Sequence, residues 1–221
     1  MKAQLLFWTP EPLRVVYVAA RTCYSQEVPV VSLSDNPEKM ENLISRLVFA
    51  GHLSVLEHVS LTFSIEGISR ACSHQLVRHR IASYSQQSQR YVSPGMEWII
   101  PPEVSKSPEA SALFSELMER IEATYKALCD MGIPKEDARY VLPNATPTVL
   151  VMSMNFRELL HASSLRLCNR AQWEIRELFQ KIKGEVYAHL GSFWASLLKP
   201  KCEWTGYCTE EEGCGAYSRK A

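Results

Sequence analysis

The sequence predicts an α+β fold, with long helices packed on a small mixed or antiparallel sheet. Three observations lead to it. Apolar residues recur at spacings of three and four over long stretches, most clearly from residue 107 to 131 and from 156 to 198. Only a few short runs have strand character, chiefly 59–66 and 148–154. Strands and helices also follow one another without the regular alternation of a βαβ protein.

Taken in order, residues 11 to 24 read as a short buried helix. A better-marked helix opens at Ser34-Asp35-Asn36-Pro37, where capping side chains precede a proline in the first turn. It runs through Met40, Leu43, Ile44, Leu47 and Val48 and stops at Gly51. Residues 59–66 alternate apolar and polar, a half-buried strand expected to end at Gly67. Residues 68 to 79 read as helix and 81 to 93 as a polar loop, and Trp98-Ile99-Ile100 reads as a short strand before Pro101-Pro102. The amphipathic helix from Ser107 is terminated by Gly132, another runs from Pro134 to Pro143, and 148–154 is apolar and β-branched enough for a strand. Residues 156 to 198 are helical in pattern with a break near Asn169. With no repeats or linkers, one domain is expected over 1–198, followed by a detachable cysteine-containing tail over 199–221.

Composition excludes several classes of function. The chain of 221 residues has 24 Lys+Arg, 24 Asp+Glu and a formal net charge of +0, whereas a nucleic-acid-binding domain carries a broad basic face and a pI above roughly 9. No apolar run approaches the roughly 20 residues of a membrane span. The N-terminal octad meets Thr9-Pro10-Glu11-Pro12 without a signal-peptide core. Seven cysteines, an odd number, argue against a secreted disulfide framework. A cytoplasmic protein is expected.

Against this neutral background, no Asp or Glu occurs between Gly67 and Met96, while Arg70, Arg78, Arg80 and Arg90 do, with His74 and His79. Guanidinium forks suit phosphate and carboxylate, and the interleaved Ser and Gln add neutral donors. Such a cluster holds a small anion. A second cluster, from Asn155 to Arg170, carries Arg157, His161, Arg166 and Arg170 with one acid, Glu158. On one helix Arg157 and His161 lie a turn apart, as do Arg166 and Arg170, with Leu159, Leu160, Leu165 and Leu167 expected in the core. A solvated arginine face is the plain alternative. Arg139 has acids nearby and is a weaker candidate.

Other chemistries fare less well. His52 and His58 are six apart, which suits neither face of a helix, and a capping box of Ser54 with Glu57 explains the segment better than a metal. Ser83, Ser85 and Ser88 lack a nucleophile elbow, and Cys72 reads equally as a small core residue. No glycine-rich phosphate loop is present among the 9 glycines. Cys202, Cys208 and Cys214 are evenly spaced but match no standard zinc pattern, so exposed thiols or a tail disulfide are expected.

Arg78-His79-Arg80, seven residues and then Ser88 resemble the signature of the flavin-dependent thymidylate synthases. The likeness extends to Gly51-His52 through Glu57-His58, Gln75, Ala138-Arg139, Asn155-x-Arg157, His161, Leu165-Arg166 and Gln172-x-Glu174-Ile175-Arg176. The resemblance implies a homotetramer that binds FAD, is reduced by NADPH, and moves a one-carbon unit from methylenetetrahydrofolate to dUMP, giving dTMP and tetrahydrofolate. It implies FAD contacts for Ser54, Arg78, His79, Arg80, Gln86, Asn155, Arg157 and His161. It implies dUMP contacts for Gln75, Arg78, Gln86, Gln87, Ser88, Gln89, Arg90, Arg139 and Arg166. Arg166 resembles the residue that stabilises the N3-deprotonated uracil, and no metal is implied. Many relatives carry an acid where this chain has Gln86, which puts a charge-based role there in question. A noncatalytic nucleotide- or RNA-binding module is the rival, and would show steep salt dependence.

Overall fold

In the computed structural model, residues 1–26, 36–93, 95 and 97–219 are described. The expected capping residues Ser34 and Asp35 lie outside them. A four-stranded sheet has the order β1-β2-β4-β3, with β1 Lys2–Trp8, β2 Ser60–Ser69, β3 Ala82–Gln86 and β4 Pro147–Asn155. The Phe156 amide donates to Val59 at one end of the β2–β4 pair and the Arg70 amide to Thr146 at the other, so the two run antiparallel. The helices are α1 Pro12–Thr22, α2 Pro37–Phe49, α3 Arg70–Leu76, α4 Pro102–Ser105, α5 Pro108–Asp130 and α6 Lys135–Ala138. They continue with α7 Phe156–Arg166, α8 Trp173–Leu190, α9 Ser192–Leu197 and α10 Lys201–Thr205.

The predicted helices form where capping and periodicity agree. Asn36 accepts from the Lys39 amide to cap α2, Pro37 occupies the first turn, and Met40, Ile44 and Val48 are buried at intervals of four. Gly51 stops the helix with φ 82°. Ser107 caps α5 in the same way through the Ala110 amide, but only Met118 and Tyr125 of that helix are buried, and Leu113 and Leu117 lie exposed. The long pattern from 156 breaks twice rather than once, after Arg166 and again at Gly191.

Four readings need correction. β2 does not end at Gly67: its buried positions run Leu61, Phe63 and Ile65, then shift parity to Ile68. Gly67 absorbs that slip at φ 66°, as in a β-bulge, and a Cβ there would sit 3.2 Å from the Met1 backbone nitrogen. The polar segment after Arg80 contains β3, an edge strand whose Ser and Gln side chains tolerate solvent. Trp98-Ile99-Ile100 forms no strand; Ile99 makes one amide bond, to Ala145. Residues 199 to 219 are not detached, since Arg170 pairs with Glu212 at 3.7 Å and the Asn169 amide donates to Cys214 Sγ at 3.6 Å.

The chain forms two compact units. One comprises residues 1–2, 65–78 and 84–151. The other comprises 3–64, 79–83 and 152–221. In the second, the Leu5 amide of β1 donates to Glu185 of α8 at 2.8 Å. Its core centres on Phe156, Phe179, Ile182 and Trp194, all at 1% exposure or less. Among the described residues no helix is long and apolar enough to cross a membrane.

Candidate active site

The second unit holds His79, Arg80, Asn155, Arg157, His161 and Arg166. Asn155 is fixed first: its carbonyl oxygen accepts from the Glu158 amide at 2.9 Å and caps α7. One turn of helix then presents Arg157 and His161 to solvent, as their spacing predicts, while Phe156 and Leu159 enter the core. Leu165 is 44% exposed rather than buried, and Arg170 lies beyond the end of α7, so it does not share a face with Arg166. Arg157 pairs with Glu57. That partner sits in a 3-10 helix, Leu53–His58, for which His52 is the N-cap and Ser54 makes no cap bond. The expected capping box is absent, and Ser54 is exposed instead.

Arg166 is oriented by a neutral ring. Its Nε donates to Nε2 of His79 at 3.0 Å, and Nδ1 of His79 lies 3.4 Å from Oε1 of Glu158. His79 is 5% exposed, with the rings of His161 and Phe179 at 6.3 and 6.2 Å. Burial, then the Arg166 guanidinium, then His161 hold its pKa down to about 4. Burial pushes the Glu158 carboxyl up, opposed by His161 and Arg157. Glu158, legible in the sequence only as the one acid beside the arginines, is buried at 6% exposure and not on the surface.

The depressed His79 value makes a prediction. An unfolded chain takes up this proton near pH 6.5, but the native protein refuses it until about pH 4. Stability present above pH 6.5 is therefore lost as pH falls through that window, by up to about 3 kcal/mol. Glu158 acts in the opposite sense, its contribution falling as pH rises through its raised value. Urea unfolding at pH 7.5 and 4.5 should show a larger drop for the wild type than for His79→Gln, and equal drops would refute the assignment.

The first unit holds Gln75, Arg78, residues 86 to 90, and Arg139. The Gln86 amide donates to Ser73 Oγ at 3.0 Å and to Thr148 Oγ1 at 3.1 Å. The Thr148 hydroxyl can reverse roles toward an acid at this position, whereas Ser73 already donates its hydrogen to the Arg70 carbonyl at 3.0 Å. Ser88 Oγ accepts from the Arg90 amide at 3.2 Å, and Gln75 donates to the Ala71 carbonyl at 3.3 Å. Arg90 grips Glu136 through Nε and Nη2 at 2.9 and 2.7 Å. Arg139 donates to the Glu136 carbonyl at 3.0 Å rather than pairing with a side chain acid there. Arg70 has its pKa lowered by burial and then by the charge of Arg139.

Cys72 is fully buried, as the core reading of that residue requires. Arg166 and Arg170 line a cavity of about 520 Å³ together with Cys168, Cys202, Cys208 and Cys214. All seven cysteines are free thiols, so the tail contains no disulfide, and Cys208 is buried. Among the described residues no group of three or more His, Cys, Asp or Glu is arranged to hold a metal ion.

In each unit the polar side chains are mainly guanidinium groups and neutral donors, a set suited to anions. Comparison with known proteins identifies the family. The family model described as thymidylate synthase complementing protein matches residues 4–190. A flavin-dependent thymidylate synthase of Geobacter sulfurreducens is 48% identical over 196 residues, covering 83% of each chain. One from Thermococcus onnurineus is 42% identical over 234 residues, covering 100% of this chain and 95% of its own. The crystal structure of the UMP/dUMP methylase PolB from Streptomyces cacaoi, bound with 5-Br dUMP, matches with a TM-score of 0.80 at 25% identity, covering 89% of this chain and 93% of that one. The chain belongs to the flavin-dependent thymidylate synthase family.

Proposed function

We propose that the protein converts dUMP to dTMP by reductive methylation, with FAD bound, NADPH as reductant and 5,10-methylenetetrahydrofolate as one-carbon donor, releasing tetrahydrofolate. The methylene carbon joins C5 of the uracil, the C5 proton leaves, and the two electrons of NADPH complete the methyl group. The observation that carries this reading is Arg166, a permanent cation aimed by the neutral ring of His79. Uracil C5 is a weak nucleophile, and a guanidinium beside N3 and O2 stabilises the anion that makes it reactive.

The donor set of the second unit fits a flavin dinucleotide. Exposed Arg80, Arg157 and His161, with the Ser54 hydroxyl, offer cations and donors to its phosphates without a glycine-rich loop. When bound, FAD supplies the two-electron chemistry that no side chain can. His79 serves this site from beneath, by holding Arg166. In the first unit, Arg78, Arg139, Arg70 and the Gln86–Arg90 segment are the residues for dUMP, with Arg90 exchanging Glu136 for the nucleotide phosphate. The same reading includes a homotetramer, for which the exposed Leu113 and Leu117 of α5 are candidate contact residues.

The purified chain should be yellow, with flavin absorption in the near ultraviolet and blue. With dUMP, methylenetetrahydrofolate and NADPH it should form dTMP and tetrahydrofolate in equal amounts. A colourless protein that takes up no added FAD, or a yellow one that makes no dTMP, would overturn the reading.

A further inference from the structure

We propose that Glu158 is a positioning residue that fixes the tautomer of His79 and, through it, the aim of Arg166. The consequence for catalysis rests on the function proposed above; the geometry does not. A neutral imidazole has one N–H and one lone pair. Arg166 has donors but no acceptor, so the nitrogen that receives its Nε–H, Nε2 of His79, must carry the lone pair. The ring proton then sits on Nδ1, which faces Oε1 of Glu158 at 3.4 Å. Glu158 accepts a hydrogen bond from that N–H, the proton staying on Nδ1, and so selects the tautomer, as a carboxylate does when it orients a histidine in other enzymes.

The opposite tautomer would set an N–H against the Arg166 Nε–H, and the guanidinium would turn away. With Nε bonded to His79, the plane of the Arg166 guanidinium is held in one orientation. This also accounts for a carboxyl group buried to 6% exposure on the helix that carries Arg157, His161 and Arg166, where an acid without a task is costly.

Two-bond proton–nitrogen NMR of the histidine-labelled full chain, with His79 assigned through His79→Gln, reads the tautomer without reference to activity. The wild type should show Nδ1 protonated and Nε2 bare. Glu158→Gln, whose amide oxygen still accepts, should keep that pattern, and Glu158→Ala should lose it. In steady-state assays Glu158→Ala should lower kcat for dTMP by roughly ten- to a hundredfold with the KM for dUMP changed by less than about threefold, and Glu158→Gln should recover most of the loss. A protonated Nε2 in the wild type, an unaltered pattern in Glu158→Ala, or Glu158→Gln as impaired as Glu158→Ala would overturn the proposal. Should Glu158→Ala fail to fold, the wild-type and Glu158→Gln spectra decide. If even the wild type makes no dTMP, the proposed function fails while the tautomer result still stands or falls alone.

Discussion

Arg166→Ala is expected to lower dTMP formation by roughly a hundredfold or more, as for loss of one electrostatic stabiliser. FAD content and flavin reduction by NADPH should persist, because the exposed Arg80, Arg157 and His161 are untouched. Lysine should rescue poorly. A guanidinium is a planar fork whose Nε bonds His79, whereas an ammonium is a single point charge that cannot reproduce that plane. Flavin content, flavin reduction and dTMP formation measured separately in the alanine and lysine variants give the answer. Near-normal dTMP formation in Arg166→Ala would make the residue structural.

Phe156→Ala should cost about 3–5 kcal/mol of stability, the range for removing a buried aromatic ring. Phe156 is fully buried, its ring meets Trp194 edge-on at 4.7 Å, and its amide bonds Val59 at 2.7 Å. It stands between Asn155 and Arg157, so the cavity opens directly beneath the start of α7. Denaturant unfolding measures the loss, and flavin content should fall with it. With native stabilities of about 5–15 kcal/mol, such a loss can leave little soluble protein, so Phe156→Leu provides a milder second point. An alanine variant within about 1 kcal/mol of the wild type would show that this ring is not part of the core, since values that small belong to surface sites.

The helices were legible where the chain repeats itself physically. α2 and α5 carry apolar residues at helical spacing between a capping side chain with proline and a glycine, and local chemistry fixes their ends, whereas the stop of α8 at Gly191 was read through. β4 was legible from its β-branched, apolar composition. β3 was not, because Ala-Ser-Tyr-Ser-Gln at a sheet edge has no hydrophobic alternation to betray it. Gly67 misled for a related reason: a glycine ends many strands, but a neighbouring backbone needed the space here.

The site shows the same division. An acid-free stretch rich in arginine is visible in the sequence, as is the Asn155-to-Arg166 turn spacing. The partners of those cations were not visible. Glu136 is 46 residues from Arg90, Glu57 is 100 from Arg157, and His79 is 87 from Arg166. Only folding brings them together, and no period in the sequence encodes such pairs.

The bond from Leu5 to Glu185 has a consequence for how the protein is made. Its partners are 180 residues apart, and the unit containing them is built from both ends of the chain. At about 5–20 residues per second, the ribosome needs roughly ten to forty seconds between delivering one partner and the other. During that time the first strand waits for the helix that carries the acceptor of its Leu5 amide. The nascent chain is therefore vulnerable to aggregation until its last helices emerge, and chaperone capture should be strongest over that interval.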